Sequence, residues 1–204
     1  MNIEIFQTEE EFTEAAVSFI FKILQENPDA NIALSGGTTP APIYKALAKK
    51  FPQGNFYQVD ERYVPPHHPD SNQKMIRETL NPANFHYFDT TIPLSTALEK
   101  YEKQLPEKFD LVILGIGEDG HYASIFPNTP QTEKPVSHTT TESFPVKDRL
   151  TITIEPILKS KNILILLKNK HKVLQELQKP AKNSQEFPAL NLLKHEHLEI
   201  FVLN

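Results

Sequence analysis

The amino-acid sequence predicts an α/β fold of three layers, α/β/α, around a mostly parallel sheet. Three observations point there: short apolar runs of strand length recur along the chain, helix-like stretches fall between several of them, and most of the few glycines stand directly behind two of the runs. Parallel strands covered by helices on both faces read as continuous apolar runs, and their ligands collect at the carboxyl ends of the strands.

Taken in order, Thr8 followed by Glu11 is a capping-box pattern, and Phe12, Ala15, Ala16, Phe19, Ile20 and Ile23 then recur at helical spacing. The strand-length runs are Ile32–Leu34, Phe56–Val59, Leu111–Leu114, Thr151–Ile154, Ile163–Leu167 and Leu198–Leu203. Helix-like stretches lie at Ile43–Lys49, Ser71–Leu80, Ser95–Gln104 and Lys170–Gln178, so strands and helices alternate as in βαβ units. Of the 17 prolines, clusters fall between Pro65 and Pro69 and between Pro127 and Pro145, marking irregular segments and no domain boundary; residues 1–204 are expected to form one domain.

With 204 residues, 39% of them hydrophobic and 23% charged, the chain has the composition of a globular protein with a substantial core. A net charge of −5 argues against a nucleic-acid-binding surface, so an anionic small molecule would have to find local cations. Cysteine is absent, which removes disulfides, thiolate nucleophiles and cysteine-held metals and fits a reducing cytoplasm. The opening Met1–Phe6 leads into Glu9, Glu10 and Glu11 with no signal-peptide pattern, and the run Ile163–Leu167 is far too short to span a bilayer. A soluble cytoplasmic protein, with no membrane partner, is expected.

Five of the 6 glycines lie in two strings. The first, Ser35-Gly36-Gly37-Thr38-Thr39-Pro40, follows Ile32–Leu34. Paired glycines let the backbone approach a ligand, and hydroxyls ahead of a helix N-terminus suit a phosphate; an ordinary strand-to-helix turn is the competing account. The string lacks the Lys-Ser/Thr ending of a Walker A loop, and Ala33 stands where a nucleophile elbow needs glycine, so Ser35 is not read as a nucleophile.

The second string, Gly115-Ile116-Gly117-Glu118-Asp119-Gly120-His121, spells Gly-x-Gly-x-x-Gly after Leu111–Leu114. A dinucleotide fingerprint must open a helix, and Pro127, Pro130 and Pro135 forbid one, so no nicotinamide cofactor is expected. What remains is a turn presenting Asp119 and His121, with His121 the candidate general base. A third strand end carries Asp60-Glu61-Arg62-Tyr63-Val64-Pro65, whose carboxylates could orient a histidine or substrate hydroxyls; a solvated loop is the alternative. Beyond it Ser71 caps a helix, and Arg77, two turns in, is placed to reach back to a phosphate. His67, His68 and Asp70, and likewise His195 and His197, lack the number and spacing of zinc ligands, and no metal is expected.

In their order these strings, with Ser71-Asn72 and Tyr122-Ala123-Ser124-Ile125-Phe126-Pro127, resemble the 6-phosphogluconolactonase family, within the wider group that includes glucosamine-6-phosphate deaminases. The Ala123–Pro127 ending is similar to the lactonases, whereas deaminases continue that turn with Asn-Glu-Pro. The resemblance implies a Rossmann-like sheet of the NagB/RpiA/CoA transferase-like kind, without metal or organic cofactor. It implies hydrolysis of 6-phospho-D-glucono-1,5-lactone to 6-phosphogluconate in the oxidative pentose phosphate pathway. Carried over, His121 activates water with Asp60 or Glu61 near it, while Ser35, Gly36, Gly37 and Thr38, with Arg77, hold the phosphate and Arg62 and Asp119 belong to the substrate site. Arg149, before a Thr-rich strand, and Lys172, after the next strand, match two further pocket residues of the family. Asn169 replaces the family's glycine before that lysine, and the chain stops at Asn204 soon after a strand. The expected partner is the phosphorylated sugar lactone alone, bound by a monomer or weak homo-oligomer; the alternatives are a glucosamine-6-phosphate deaminase-like enzyme and a non-catalytic sugar-phosphate sensor.

Overall fold

The computed structural model describes residues 1–50, 52–130, 132–179 and 183–204. Its elements are β1 (Asn2–Phe6), α1 (Glu9–Glu26), β2 (Asn31–Leu34), α2 (Pro40–Ala48), β3 (Asn55–Gln58), β4 (Asp60–Arg62), α3 (Asn72–Thr79) and β5 (Asn84–His86). There follow α4 (Leu94–Glu102), β6 (Leu111–Gly115), β7 (Val136–Thr140), β8 (Asp148–Ile152), α5 (Ile154–Leu158), β9 (Ile163–Lys168), α6 (His171–Gln178), a 3₁₀ turn (Pro188–Lys194) and β10 (Leu198–Leu203).

Seven strands form one sheet in the order β1-β10-β9-β6-β2-β3-β5, with every adjacent pair parallel. Because side chains alternate across a strand, neighbouring residues enter opposite cores. Ile32 and Leu34 belong to the core that holds Phe12, Ala16 and Ile20 of α1 and Ile43 of α2, whereas Ala33 belongs to the other, which holds Tyr101 of α4. The capping of α1 is as expected, Thr8 Oγ1 accepting the Glu11 N–H at 3.2 Å, but its buried stripe is rotated: Phe12, Ala16 and Ile20 are buried with Val17 and Leu24, whereas Ala15, Phe19 and Ile23 are only partly buried. Among the described residues no helix is long and apolar enough to cross a membrane.

The run expected as a buried strand at Thr151–Ile154 is a strand over Asp148–Ile152, outside the parallel sheet: it closes a second, antiparallel sheet, β4-β8-β7, and Ile154 begins α5. The chain passes from one sheet to the other through Val59, whose N–H bonds Leu34 O and whose carbonyl accepts from Ile152 N–H. Strand order reverses between β2 and β6: from β2 the chain builds outward through β3 and β5, and from β6 through β9 and β10. Such a switch point opens a crevice outside the strand ends, and each of the two glycine strings follows one of the strands that flank it.

Candidate active site

A cleft of about 660 Å³ occupies that crevice, lined by Ser35–Pro40, Asp60, Arg62, Asn72, Gly115–Asp119, His121, Phe144 and Lys170 among others. The first glycine string forms one wall and runs into α2, whose Pro40 needs no amide partner in the first helical turn. Here a glycine is obligatory: a Cβ on Gly36 would lie 1.9 Å from Asn72 Oδ1. Ser35 is buried, and its Oγ has no hydrogen-bond partner among the described residues.

The second string forms the opposite wall without opening a helix. Gly117 N–H bonds His121 O at 2.8 Å and Gly120 N–H bonds Gly117 O at 3.0 Å, curling the turn so that a Cβ on Gly117 would sit 2.2 Å from the imidazole. His121 Nδ1 lies 2.5 Å from Asp119 Oδ1. Burial alone would raise the Asp119 carboxyl, but the His121 ring bond, its charge and its backbone N–H outweigh this and hold the carboxyl below its ordinary range. A carboxylate only accepts, so Nδ1 carries a proton, and in the neutral imidazole the lone pair is therefore on Nε2. Stability contributed by a depressed carboxyl is present above its unfolded pKa, about 3.9, and is lost as pH falls through the folded value. Urea midpoints of wild type and Asp119→Asn should therefore differ at neutral pH and converge below about pH 4.

Asp60 stands between the walls at the junction of the two sheets. Its Oδ2 accepts from Ser124 Oγ at 2.7 Å and its Oδ1 from Asn72 Nδ2 at 3.2 Å, so one carboxylate braces both the segment after His121 and the residue beneath Gly36. Arg62 lines the cleft and donates from Nη1 to Asp70 O at 2.6 Å. Arg149 is its register partner on β8, and burial followed by the Arg62 charge holds its guanidinium below the usual value.

Four expected site residues do not line this cleft: Arg149 stands behind Arg62 on β8, and Glu61, Arg77 and Lys172 lie elsewhere. Glu61 points the other way, as the alternation of β4 demands once Asp60 and Arg62 face the cleft. It is buried beneath α3 and accepts from Asn72 N–H and Gln73 N–H at 2.7 Å, Arg62 N–H at 2.8 Å, Gln58 Nε2 at 2.9 Å and Ser71 Oγ at 3.1 Å. Burial pushes this carboxyl up, against the pull of those donors. Its place is structural, at the start of α3. Arg77 lies over the rings of Phe85 and Tyr87 at 5.3 and 5.0 Å, on the face of α3 turned from the glycine loop. Lys172 is exposed on α6; two residues earlier, Lys170 enters the cleft and donates to Ile116 O at 2.5 Å. Asn169, with φ of 54° in the left-handed region, makes the turn between β9 and Lys170.

Sequence reasoning passed over Lys170, Phe144 and the support given by Asn72 and Ser124. The period of two in β4 could have separated Asp60 from Glu61, whereas nothing local marks Phe144. Among the described residues no group of three or more His, Asp or Glu side chains is placed to hold a metal ion.

Residues 7–201 match the family model described as Glucosamine-6-phosphate isomerases/6-phosphogluconolactonase. A 6-phosphogluconolactonase of Thermotoga maritima is 39% identical over 165 residues, 74% of this chain and 75% of its own. One from Synechocystis is 35% identical, with 83% of this chain and 80% of its own length aligned. The crystal structure of 6-phosphogluconolactonase from Thermotoga maritima superposes with a TM-score of 0.88 at 33% identity, covering 100% of this chain and 99% of that one. With nearly the whole chain matched by that family model and relatives of this identity and coverage, the chain belongs to the glucosamine-6-phosphate isomerase/6-phosphogluconolactonase family.

Proposed function

We propose that this chain hydrolyses 6-phospho-D-glucono-1,5-lactone to 6-phosphogluconate, the carboxylic ester hydrolysis that its lactonase relatives are named for. The observation that carries the reading is the Asp119-held His121, with its free Nε2 on one wall of a cleft whose other wall is a glycine loop at a helix N-terminus. His121 Nε2 takes a proton from water as the oxygen attacks the lactone carbonyl, and the imidazolium returns that proton to the ring oxygen as the C–O bond breaks. Asp119 fixes the tautomer and stabilises the transient imidazolium. The phosphate is held by the Ser35–Thr38 loop with Arg62 and Lys170, the cations an acidic chain must concentrate locally, and Arg149 backs Arg62 from β8. Holding it orients the carbonyl for attack. The lack of cysteine supports a cytoplasmic setting.

The test is the opening of freshly generated lactone, followed by acid release against the spontaneous rate. Lys170→Met should raise KM by roughly tenfold, the worth of one charge-assisted contact, while Lys172→Met leaves it unchanged. No acceleration by the wild type, together with ammonia release from glucosamine 6-phosphate, would assign the cleft to the deaminase branch; phosphate-sugar binding with neither reaction would leave a sensor.

A further inference from the structure

His121 is gripped by more than Asp119. The Phe126 ring lies 5.0 Å from the imidazole centroid and the Phe144 ring 5.5 Å from it, at 76°, while the two phenyl rings are 6.1 Å apart, so the three rings close a triangle. Asp119 and Phe126 belong to the same turn as His121. Phe144 arrives from elsewhere, at the tip of the hairpin joining β7 and β8 in the antiparallel sheet.

That tip is braced. Thr141 N–H bonds Lys147 O at 3.2 Å, Ser143 N–H bonds Thr141 Oγ1 at 3.1 Å, and Lys147 pairs with Glu142 at 2.5 Å. Arg149 Nε donates to Val146 O at 3.0 Å, and its guanidinium lies 5.4 Å from the centre of the Phe144 ring. Phe144 is nevertheless 38% exposed; the other exposed large hydrophobics among the described residues, Met1 and Ile5, lie at or beside the edge strand β1. A phenyl ring held out on a braced hairpin against an imidazole adds little to a core and much to the placement of that imidazole, whereas Arg149 is held independently by its bond to Val146 O.

We infer that Phe144 is a positioning residue for His121: it completes the aromatic clamp that holds the imidazole in the rotamer aiming Nε2 into the cleft, and so makes the small antiparallel sheet part of the catalytic apparatus. The inference rests on His121 acting as the base. Without Phe144 the ring keeps its Asp119 bond but can swing about it, so the fraction of molecules with Nε2 correctly aimed falls while phosphate binding is untouched.

Phe144→Ala should lower kcat by on the order of tenfold, the upper end of what an aromatic pair contributes, with KM within about twofold of wild type. Phe144→Tyr, which keeps the ring, should restore kcat, and Phe144→Leu should not. In parallel, the ¹³Cε1–¹H resonance of His121 in the folded protein should move on Phe144→Ala and return on Phe144→Tyr. A raised KM at unchanged kcat would overturn the inference and make Phe144 a contact of the sugar; unchanged kcat and unmoved His121 resonance would remove Phe144 from any role. The resonance is read without substrate, so it tests the clamp even if the wild type fails to open the lactone.

Discussion

Replacing His121 by alanine is expected to lower the turnover of 6-phosphogluconolactone by about 10²–10⁴-fold, the usual contribution of a positioned general base. The fold should survive the change. His121 lies in an irregular turn, its side chain is 20% exposed, and the backbone bonds that shape the turn, from Gly117 and Gly120, do not use the imidazole. Asp119 is left facing solvent, where an unpaired carboxylate is well hydrated, so the loss of stability should be small beside the loss of rate. The measurement is kcat for acid release above the spontaneous background, with a melting curve on the same preparation. Turnover close to that of the wild type would take the base away from His121 and leave no other imidazole in the cleft to replace it among its lining residues.

The second large effect concerns stability. Glu61→Ala should destabilise the protein by about 3–5 kcal/mol, because removing one member of a buried hydrogen-bonded network strands the others. The carboxylate gathers N–H groups from Arg62, Asn72 and Gln73, the Ser71 hydroxyl and the Gln58 amide. Two of those N–H groups open α3 and have no partner within the helix. Glu61→Gln keeps the size but turns an NH₂ group towards other donors, so its cost should fall between wild type and alanine, at roughly 1–3 kcal/mol. Urea midpoints at pH 7 compare the three. A loss below about 1 kcal/mol for alanine would mean that water reaches the five donors after all.

Much of the fold was legible because parallel strands covered on both faces leave continuous apolar runs, and Ile32–Leu34, Ile163–Leu167 and Leu198–Leu203 need no partner to be recognised. The polar edge strands β1 and β5 were not, since most of their residues remain exposed or half-buried and their pairing is set by the neighbouring strand. In the cleft, Gly36 and Gly117 could be read because close approach excludes a side chain at both positions. Arg77, Lys170 and Lys172 could not, because each depends on which way a helix or turn rotates its side chain. For Lys170 the deciding feature is the left-handed backbone of Asn169, a conformation that asparagine adopts more readily than most residues but that its presence does not announce.

The passage through Val59 carries a consequence for the order in which the molecule acquires its parts. The segment leaving β3 pairs with β8, Asp60 opposite Thr151, across a long stretch of chain that includes β6 and the whole His121 turn. Closing so large a loop is entropically slow and gains little until the strands around it are in place. The parallel half from β2 to β5 rests on neighbours near in sequence and can condense early; the cleft, which needs Asp60, Ser124 and Phe144 brought from distant stretches, is completed late. A chain arrested before β4 meets β8 would hold most of its helices and strands and still be catalytically silent.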